Sequence, residues 1–143
     1  MCGRTPLREE IISVLIIKPE WLQKIMDPEC GKTWEIRGRK CEKDGQVIYL
    51  AGSRTSTIYA RVKFEGCHGP LTQDEWEANV GRHCVRQHTR PYGARTHAYQ
   101  FGELEVARHP IPFERKRGAV IWQDVPIEHA VLTNAVFEAP KSI

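Results

Sequence analysis

The stretch Gly31–Gly38, with the sequence GKTWEIRG, decides how the chain is expected to fold. Its central residues alternate in polarity, and alternate residues of a β-strand point to opposite faces of the sheet. The pattern therefore predicts a strand in which Trp34 and Ile36 face the core of the protein. Glu35 and Arg37 then lie side by side on the opposite face of that strand.

A strand and a helix are predicted immediately before this stretch. Residues 11–17 (IISVLII) are mostly β-branched and too few for a typical helix, so they predict a buried strand. Pro19 suits the first turn of a helix, and the apolar residues after it share one helical face. Pro28 cannot continue the helix, which is therefore expected to end before it.

The remaining sequence predicts a small mixed β-barrel. Thr72 starts a second helix, because Glu75 three residues later completes a capping box. Around Gly102 the apolar pattern of a strand changes phase, which indicates a β-bulge. About six short strands with two or three short helices are typical of an α+β fold built on a mixed barrel. The predicted strands cover residues 11–17, 32–37, 46–51, 57–64, 98–107 and 119–125.

Length and composition predict one intracellular domain. The 143 residues suit a single domain, and 41% hydrophobic with 27% charged residues is ordinary for a globular protein. Residues 11–17 form the longest strongly apolar stretch, which is too short to cross a membrane. The charged residues 8–10 precede it, whereas a signal peptide would place a basic region there. We therefore expect a cytoplasmic protein without a membrane anchor.

Cysteine usage agrees with that compartment. The five cysteines are odd in number and form no CxxC pair, which favours reduced thiols. The pairs Cys67-His68 and His83-Cys84 place possible ligands directly next to each other, whereas zinc sites usually separate them. The sequence predicts neither a metal site nor a cofactor.

Cations are concentrated in two parts of a chain whose net charge is only +3. Between Gly81 and His97 there are four arginines and no acidic residue, and a second cluster follows at 115–117. Clustered cations favour a polyanionic partner, although a charge-rich loop can also simply be solvated. We predict that these side chains form the electrostatic approach to a nucleic-acid site. They are Arg82, Arg86, Arg90, Arg95, Arg115, Lys116 and Arg117.

Several motifs follow one another in a specific order. They are Lys18–Trp21, Gly31–Gly38, Gly69–Asn79, the strand containing Tyr99, and Pro112–Trp122. This order resembles the ASCH superfamily, and the resemblance implies a PUA-like β-barrel over residues 11–125. Residues 1–10 are then an N-terminal extension and 126–143 a C-terminal tail. One departure is Cys30, which stands where the family usually has a glycine; here the glycine directly precedes Lys32.

The resemblance also implies a cleft beside the first helix that binds RNA or a modified nucleoside. The residues expected to line it are Lys18, Trp21, Lys32, Glu35, Arg37 and Tyr99. Arginine clamps phosphates, a carboxylate accepts hydrogen bonds from base amines, and aromatic rings stack on bases. The alternative interpretation is that Glu35 and Arg37 form only a structural ion pair.

A hydrolase is the second function that the resemblance implies. Some small ASCH proteins resemble amidohydrolases that deacetylate N4-acetylcytidine with a lysine, a threonine and a glutamate, and others resemble ribonucleases. Lys32 and Glu35 would be the catalytic residues here, although Glu35 stands at the place of the threonine. The expected partner is RNA, another single-stranded nucleic acid or a nucleoside-like molecule, with or without catalysis.

Overall fold

A computed structural model describes residues 8–118 and 121–140 of the chain. The described residues form seven strands and four short helices, with one 3₁₀ turn at Gly93–Arg95. The strands are β1 (Glu9–Ile17), β2 (Trp34–Arg37), β3 (Val47–Gly52), β4 (Thr57–His68), β5 (His97–Pro112), β6 (Trp122–Glu128) and β7 (Phe137–Glu138). The helices are α1 (Pro19–Met26), α2 (Gln73–Ala78), α3 (Val80–His83) and α4 (His129–Ala135).

The strands form one curled mixed sheet with the order β2-β5-β4-β3-β1-β6, and β7 pairs with β5. β1 and β3 run parallel, while the other paired strands are antiparallel. The sheet curls into a half-barrel, which confirms the predicted α+β fold with a small PUA-like barrel. None of the helices within 8–118 and 121–140 is long and apolar enough to cross a membrane.

Local sequence signals agree with the elements that form. The helix predicted after Pro19 is α1, and its last residue is Met26, ahead of Pro28. Thr72 Oγ1 accepts a hydrogen bond from Glu75 N at 3.1 Å, and Glu75 Oε1 accepts one from Thr72 N at 3.0 Å. This reciprocal pair confirms the predicted capping box of α2. The pairing of β4 with β5 shifts register on both sides of Gly102, where the bulge was predicted.

The core contains the faces that the alternating patterns predict. Trp34 and Ile36 are buried, and so is the apolar face of β4. β2 differs from a half-exposed strand because Glu35, on its other face, is only 3% exposed. The reason is that the side chains of Lys32 and Arg37 lie against Glu35, with nitrogen–oxygen distances of 3.8 and 2.9 Å.

The segment that follows Val125 contributes to the sheet and to the core. β6 continues to Glu128, and its last residues pair with the beginning of β1. Leu132 and Ala135 of α4 pack in the same cluster as Tyr49, whose ring contacts Phe137 edge-on at 5.5 Å. Residues 126–138, which the sequence analysis assigned to a tail, are thus packed against the barrel. Residues 119–120 of the last predicted strand lie outside the described residues.

Candidate functional site

A cleft of about 1230 Å³ opens beside the beginning of α1. One wall is formed by β2 and the segment Gly38–Lys43 that follows it, and another by Tyr92 and Arg95. Trp122, at the start of β6, closes a third side. The cleft therefore lies where the end of β1, β2 and the loop after β2 meet.

Glu35 and Arg37 lie in the cleft wall and bind each other. They are two residues apart on β2 and therefore share one face of the strand. Glu35 Oε2 accepts hydrogen bonds from Arg37 Nη2 at 2.9 Å and from Arg37 Nε at 3.3 Å. Arg37 Nη2 also donates to the carbonyl of Ile16 at 2.9 Å. These two side chains are thus both an ion pair and part of the cleft surface.

Lys32 lies behind Glu35 and does not line the cleft, although the sequence predicts it as a cleft residue. Its Nζ is buried and donates to the carbonyls of Trp34 at 2.8 Å and His83 at 2.5 Å. The same nitrogen lies 3.8 Å from Glu35 Oε1 and 5.1 Å from the centre of the Trp21 ring. Burial lowers the pKa of Lys32, and the neighbouring Glu35 carboxylate opposes this shift. Lys32 therefore contacts Glu35, a residue of the cleft wall, without lining the cleft itself.

Aromatic rings form much of the apolar surface of the cleft. Trp21, on α1, is half-buried and lies under the ammonium groups of Lys24 and Lys32. Tyr99, on β5, is buried, and its hydroxyl donates to the carbonyl of Arg39 at 2.8 Å. Burial raises the pKa of Tyr99, so the phenol stays protonated and keeps this hydrogen bond. Both aromatic residues predicted from the sequence therefore lie at the cleft.

Several cleft residues were missed by sequence reasoning. Arg39, Lys40 and Lys43 follow β2 directly, and Trp122 stacks near Tyr99 with ring centres 6.4 Å apart. These cations could have been predicted, because residues 39–43 (RKCEK) form a basic segment immediately after the motif Gly31–Gly38. Trp122 carried no such signal, because a tryptophan at the start of a strand usually indicates core packing.

Solved structures of an ASCH protein from Zymomonas mobilis share this architecture. One of them superposes with a TM-score of 0.60 at 15% identity, covering 71% of this chain and 73% of that chain. A single-residue variant of the same protein gives 0.63 at 16% identity, covering 78% and 85%. This chain has an ASCH-like fold. A second variant gives 0.59 at 18% identity, covering 71% and 75%.

Because these identities are 18% or lower, the similarity to the Zymomonas mobilis structures extends to the fold alone. No protein-family model and no curated protein matches the sequence.

The cations predicted to form an approach occupy different parts of the ASCH-like fold. Arg95 and Arg115 line the cleft, and Arg115 Nη1 donates to the carbonyl of Ser53 at 2.5 Å. Arg82 lies 5.6 Å from the centre of the Trp34 ring, and Arg90 Nη1 donates to the carbonyl of Leu71 at 2.7 Å. The remaining three predicted cations are exposed and do not line the cleft: Arg86, Lys116 and Arg117.

His83 connects the cleft residues to the helices α2 and α3. Its ring is fully buried and stacks on Trp76 with centres 3.7 Å apart. Nδ1 accepts a hydrogen bond from Val85 N at 2.9 Å, so Nε2 carries the proton and donates to the Trp76 carbonyl at 2.8 Å. Both ring nitrogens are thus used within the fold. Across the described ranges, no group of three His, Cys, Asp or Glu side chains is arranged to hold a metal ion.

The buried imidazole predicts a loss of stability in acid. Burial lowers the pKa of His83 below its ordinary value of 6.5, and the positive charge of Lys32 acts in the same direction. Below pH 6.5 the unfolded chain therefore binds more protons at this site than the folded chain, so the free energy of unfolding decreases as the pH is lowered. Urea unfolding at several pH values should show this slope, and His83→Gln should reduce it. An equal slope in wild type and variant would contradict the prediction.

Proposed function

We propose that this ASCH-like protein binds single-stranded RNA, with a nucleoside unit held in the cleft. The observation that carries the proposal is the composition of the cleft: cations and aromatic rings surround a carboxylate that is fixed in the wall. Each of these groups suits one part of a nucleotide.

The first argument is charge. Seven Lys or Arg side chains line the cleft against two carboxylates, those of Glu35 and Glu42. Glu35 is paired with Arg37, and Glu42 lies 3.2 Å from Lys40 in an exposed pair. The excess of positive charge attracts phosphates, because a concave surface lined by one sign of charge concentrates counter-ions. A phosphodiester strand is therefore a better match than a neutral molecule.

The second argument is stacking. Trp21, Tyr92 and Trp122 line the cleft, and Tyr92 is 42% exposed. Base–aromatic stacking contributes about 1 to 3 kcal/mol per base and accepts every base type. Single-stranded RNA offers unstacked bases to such rings, whereas a duplex hides them. The cleft is thus suited to an unpaired nucleoside.

The third argument is the direction of Glu35. Its Oε2 is occupied by Arg37, whereas among the described residues Oε1 has no hydrogen bond and lies 3.8 Å from Lys32 Nζ. A carboxylate oxygen accepts from the exocyclic amine or ring N–H of a base. Lys32 and Arg37 hold the Glu35 side chain in a fixed orientation, which prepares Oε1 for such a donor.

A hydrolase that acts on RNA or on an acylated nucleoside such as N4-acetylcytidine is the second candidate. The observation that favours it is the buried Lys32–Glu35 pair, in which the pKa of Lys32 is lowered by burial. Against it, Lys32 Nζ donates to two main-chain carbonyls and lies behind the cleft surface. Binding therefore uses the observed geometry more directly than catalysis does.

Salt dependence provides the test of binding. If the cleft contacts about three phosphates, the slope of log affinity against log salt for a short single-stranded RNA should be near −2. Replacing Arg39, Lys40 and Arg95 together by alanine should flatten this slope, as measured by fluorescence anisotropy. Lys63→Ala is the matched control, since Lys63 is exposed on β4 and does not line the cleft.

Two outcomes would argue against the binding proposal. An unchanged slope in the triple variant would place the phosphates elsewhere. Cleavage of RNA or deacetylation of N4-acetylcytidine by the wild-type protein, lost in a folded Lys32→Met variant, would favour the hydrolase. Salt-sensitive binding without turnover would support the proposal.

A further inference from the structure

A second, smaller pocket lies on the other side of the residues that border the cleft. Its volume is about 150 Å³, and it opens between α1 and the end of β3. All the side chains that line it are uncharged: Pro19, Leu22, Gln23, Met26, Gly52, Thr55 and Tyr59. The pocket therefore suits a neutral, flat group better than a phosphate, because an uncharged lining does not compensate a buried charge.

The small pocket and the cleft share a border. Lys18 and Ser53 line the cleft, while their chain neighbours Pro19 and Gly52 line the small pocket. Ser53 N donates to the carbonyl of Ile17 at 2.8 Å, which fixes this border to the end of β1. Arg115 donates to the carbonyl of Ser53, so two cations, Lys18 and Arg115, lie along the border.

The size of the small pocket limits what it can hold. An enclosed apolar cavity of about 150 Å³ holds one benzene ring, so this pocket, which is open on one side, has room for one six-membered ring while the rest of the nucleotide stays outside it. The ring of Tyr59 forms one wall, and its hydroxyl donates to Thr55 Oγ1 at 3.1 Å, which fixes the ring in place. A pyrimidine base meets these conditions, because it is a single ring with a stacking face.

We propose that the small pocket binds the pyrimidine base of the nucleotide next to the one in the cleft. This inference rests on the proposed function, since the first nucleoside must occupy the cleft. The phosphate that joins the two nucleotides then crosses the border beside Lys18 and Arg115. The border is one residue wide in each of the two segments that form it, Lys18–Pro19 and Gly52–Ser53, so the two sites are direct neighbours.

Mononucleotides and dinucleotides test the proposal directly. The probes called UMP and AMP are used as their phosphate methyl esters, so that each carries one singly charged phosphodiester, as UpU and ApA do. The affinities within each pair then differ chiefly through the second nucleoside. We expect UpU to bind about tenfold more tightly than UMP, because the stacking of one additional base contributes a binding free energy of that size. ApA should gain much less over AMP, because a purine has two fused rings. Isothermal titration calorimetry on the whole chain measures both ratios.

Variants of Tyr59 locate the gain in affinity. Tyr59→Ala should bring the affinity for UpU close to that for UMP and leave the affinity for UMP unchanged. Tyr59→Phe is the matched control, because it keeps the ring, and it should retain the gain. Gly52→Ala is a second variant that leaves Tyr59 intact. A Cβ there lies 2.9 Å from Thr55 Oγ1 and 3.4 Å from Tyr59 Cε2, so it narrows the pocket.

The outcomes separate this inference from the proposed function. If wild type binds neither UMP, UpU nor longer single-stranded RNA, the proposed function fails. If UMP and UpU bind equally, if ApA gains as much over AMP as UpU does over UMP, or if neither variant removes the gain, the second base lies elsewhere. In those cases the inference is overturned while binding in the cleft stands.

Discussion

Replacing Glu35 by alanine is expected to lower the free energy of unfolding by about 3 to 5 kcal/mol at pH 7. The side chains of Lys32 and Glu35 are only 1% and 4% exposed, so the variant leaves a buried ammonium without its carboxylate. Arg37 loses the same partner. Chemical denaturation followed by circular dichroism measures the difference.

The effect of this substitution should depend on pH in a defined direction. Without Glu35 the pKa of Lys32 falls further, because the carboxylate is the main group that opposes the shift due to burial. At alkaline pH below 10.5, the ordinary pKa of a lysine, the Lys32 side chain then binds more protons in the unfolded variant than in the folded variant. Its stability therefore rises with pH, and the deficit relative to wild type should shrink.

Glu105→Ala is the matched control for this experiment. Glu105 Oε1 accepts from Arg61 Nε at 2.8 Å, but both side chains are about a third exposed. Such pairs typically contribute about 0.2 to 1 kcal/mol. Equal losses from Glu35→Ala and Glu105→Ala would contradict the view that Glu35 balances a buried charge.

Phe64→Ala is expected to cost about 3 to 5 kcal/mol of stability through loss of buried surface and creation of a cavity. Phe64 is fully buried on β4, and its ring lies against Tyr99 and Phe101, with centres 5.5 and 6.2 Å away. Val47→Ala serves as the control, since Val47 is 55% exposed on the neighbouring strand β3. Its effect should stay within about 0.5 kcal/mol. A small loss for Phe64→Ala would mean that the core closes around the missing ring.

Alternation along a strand explains why much of the fold could be predicted. The two-residue period places Trp34 and Ile36 on one face whatever the rest of the chain does. The capping box at Thr72 and Glu75 is equally local, because it depends on residues three positions apart. The parallel pairing of β1 with β3 carries no such local signal, since it depends on how the chain crosses over between them.

The candidate site was less predictable, because burial and partners depend on distant segments. Lys32 has the sequence features of a cleft residue, but its two main-chain partners include the carbonyl of His83 from a helix far along the chain. Arg82 and Arg95 belong to one basic stretch, yet only Arg95 lines the cleft, while Arg82 lies over Trp34. Spacing along the chain does not determine which side of the half-barrel each cation reaches.

The position of β1 between β3 and β6 has a consequence for how the protein is made. β3 follows soon after β1 in the sequence, but β6 begins only at Trp122. A nascent chain therefore holds one edge of β1, with its apolar run at residues 14–17, unpaired until most of the sequence has left the ribosome. An open strand edge is a template for pairing with other chains. During synthesis this protein thus depends on a late segment to protect its earliest strand from aggregation.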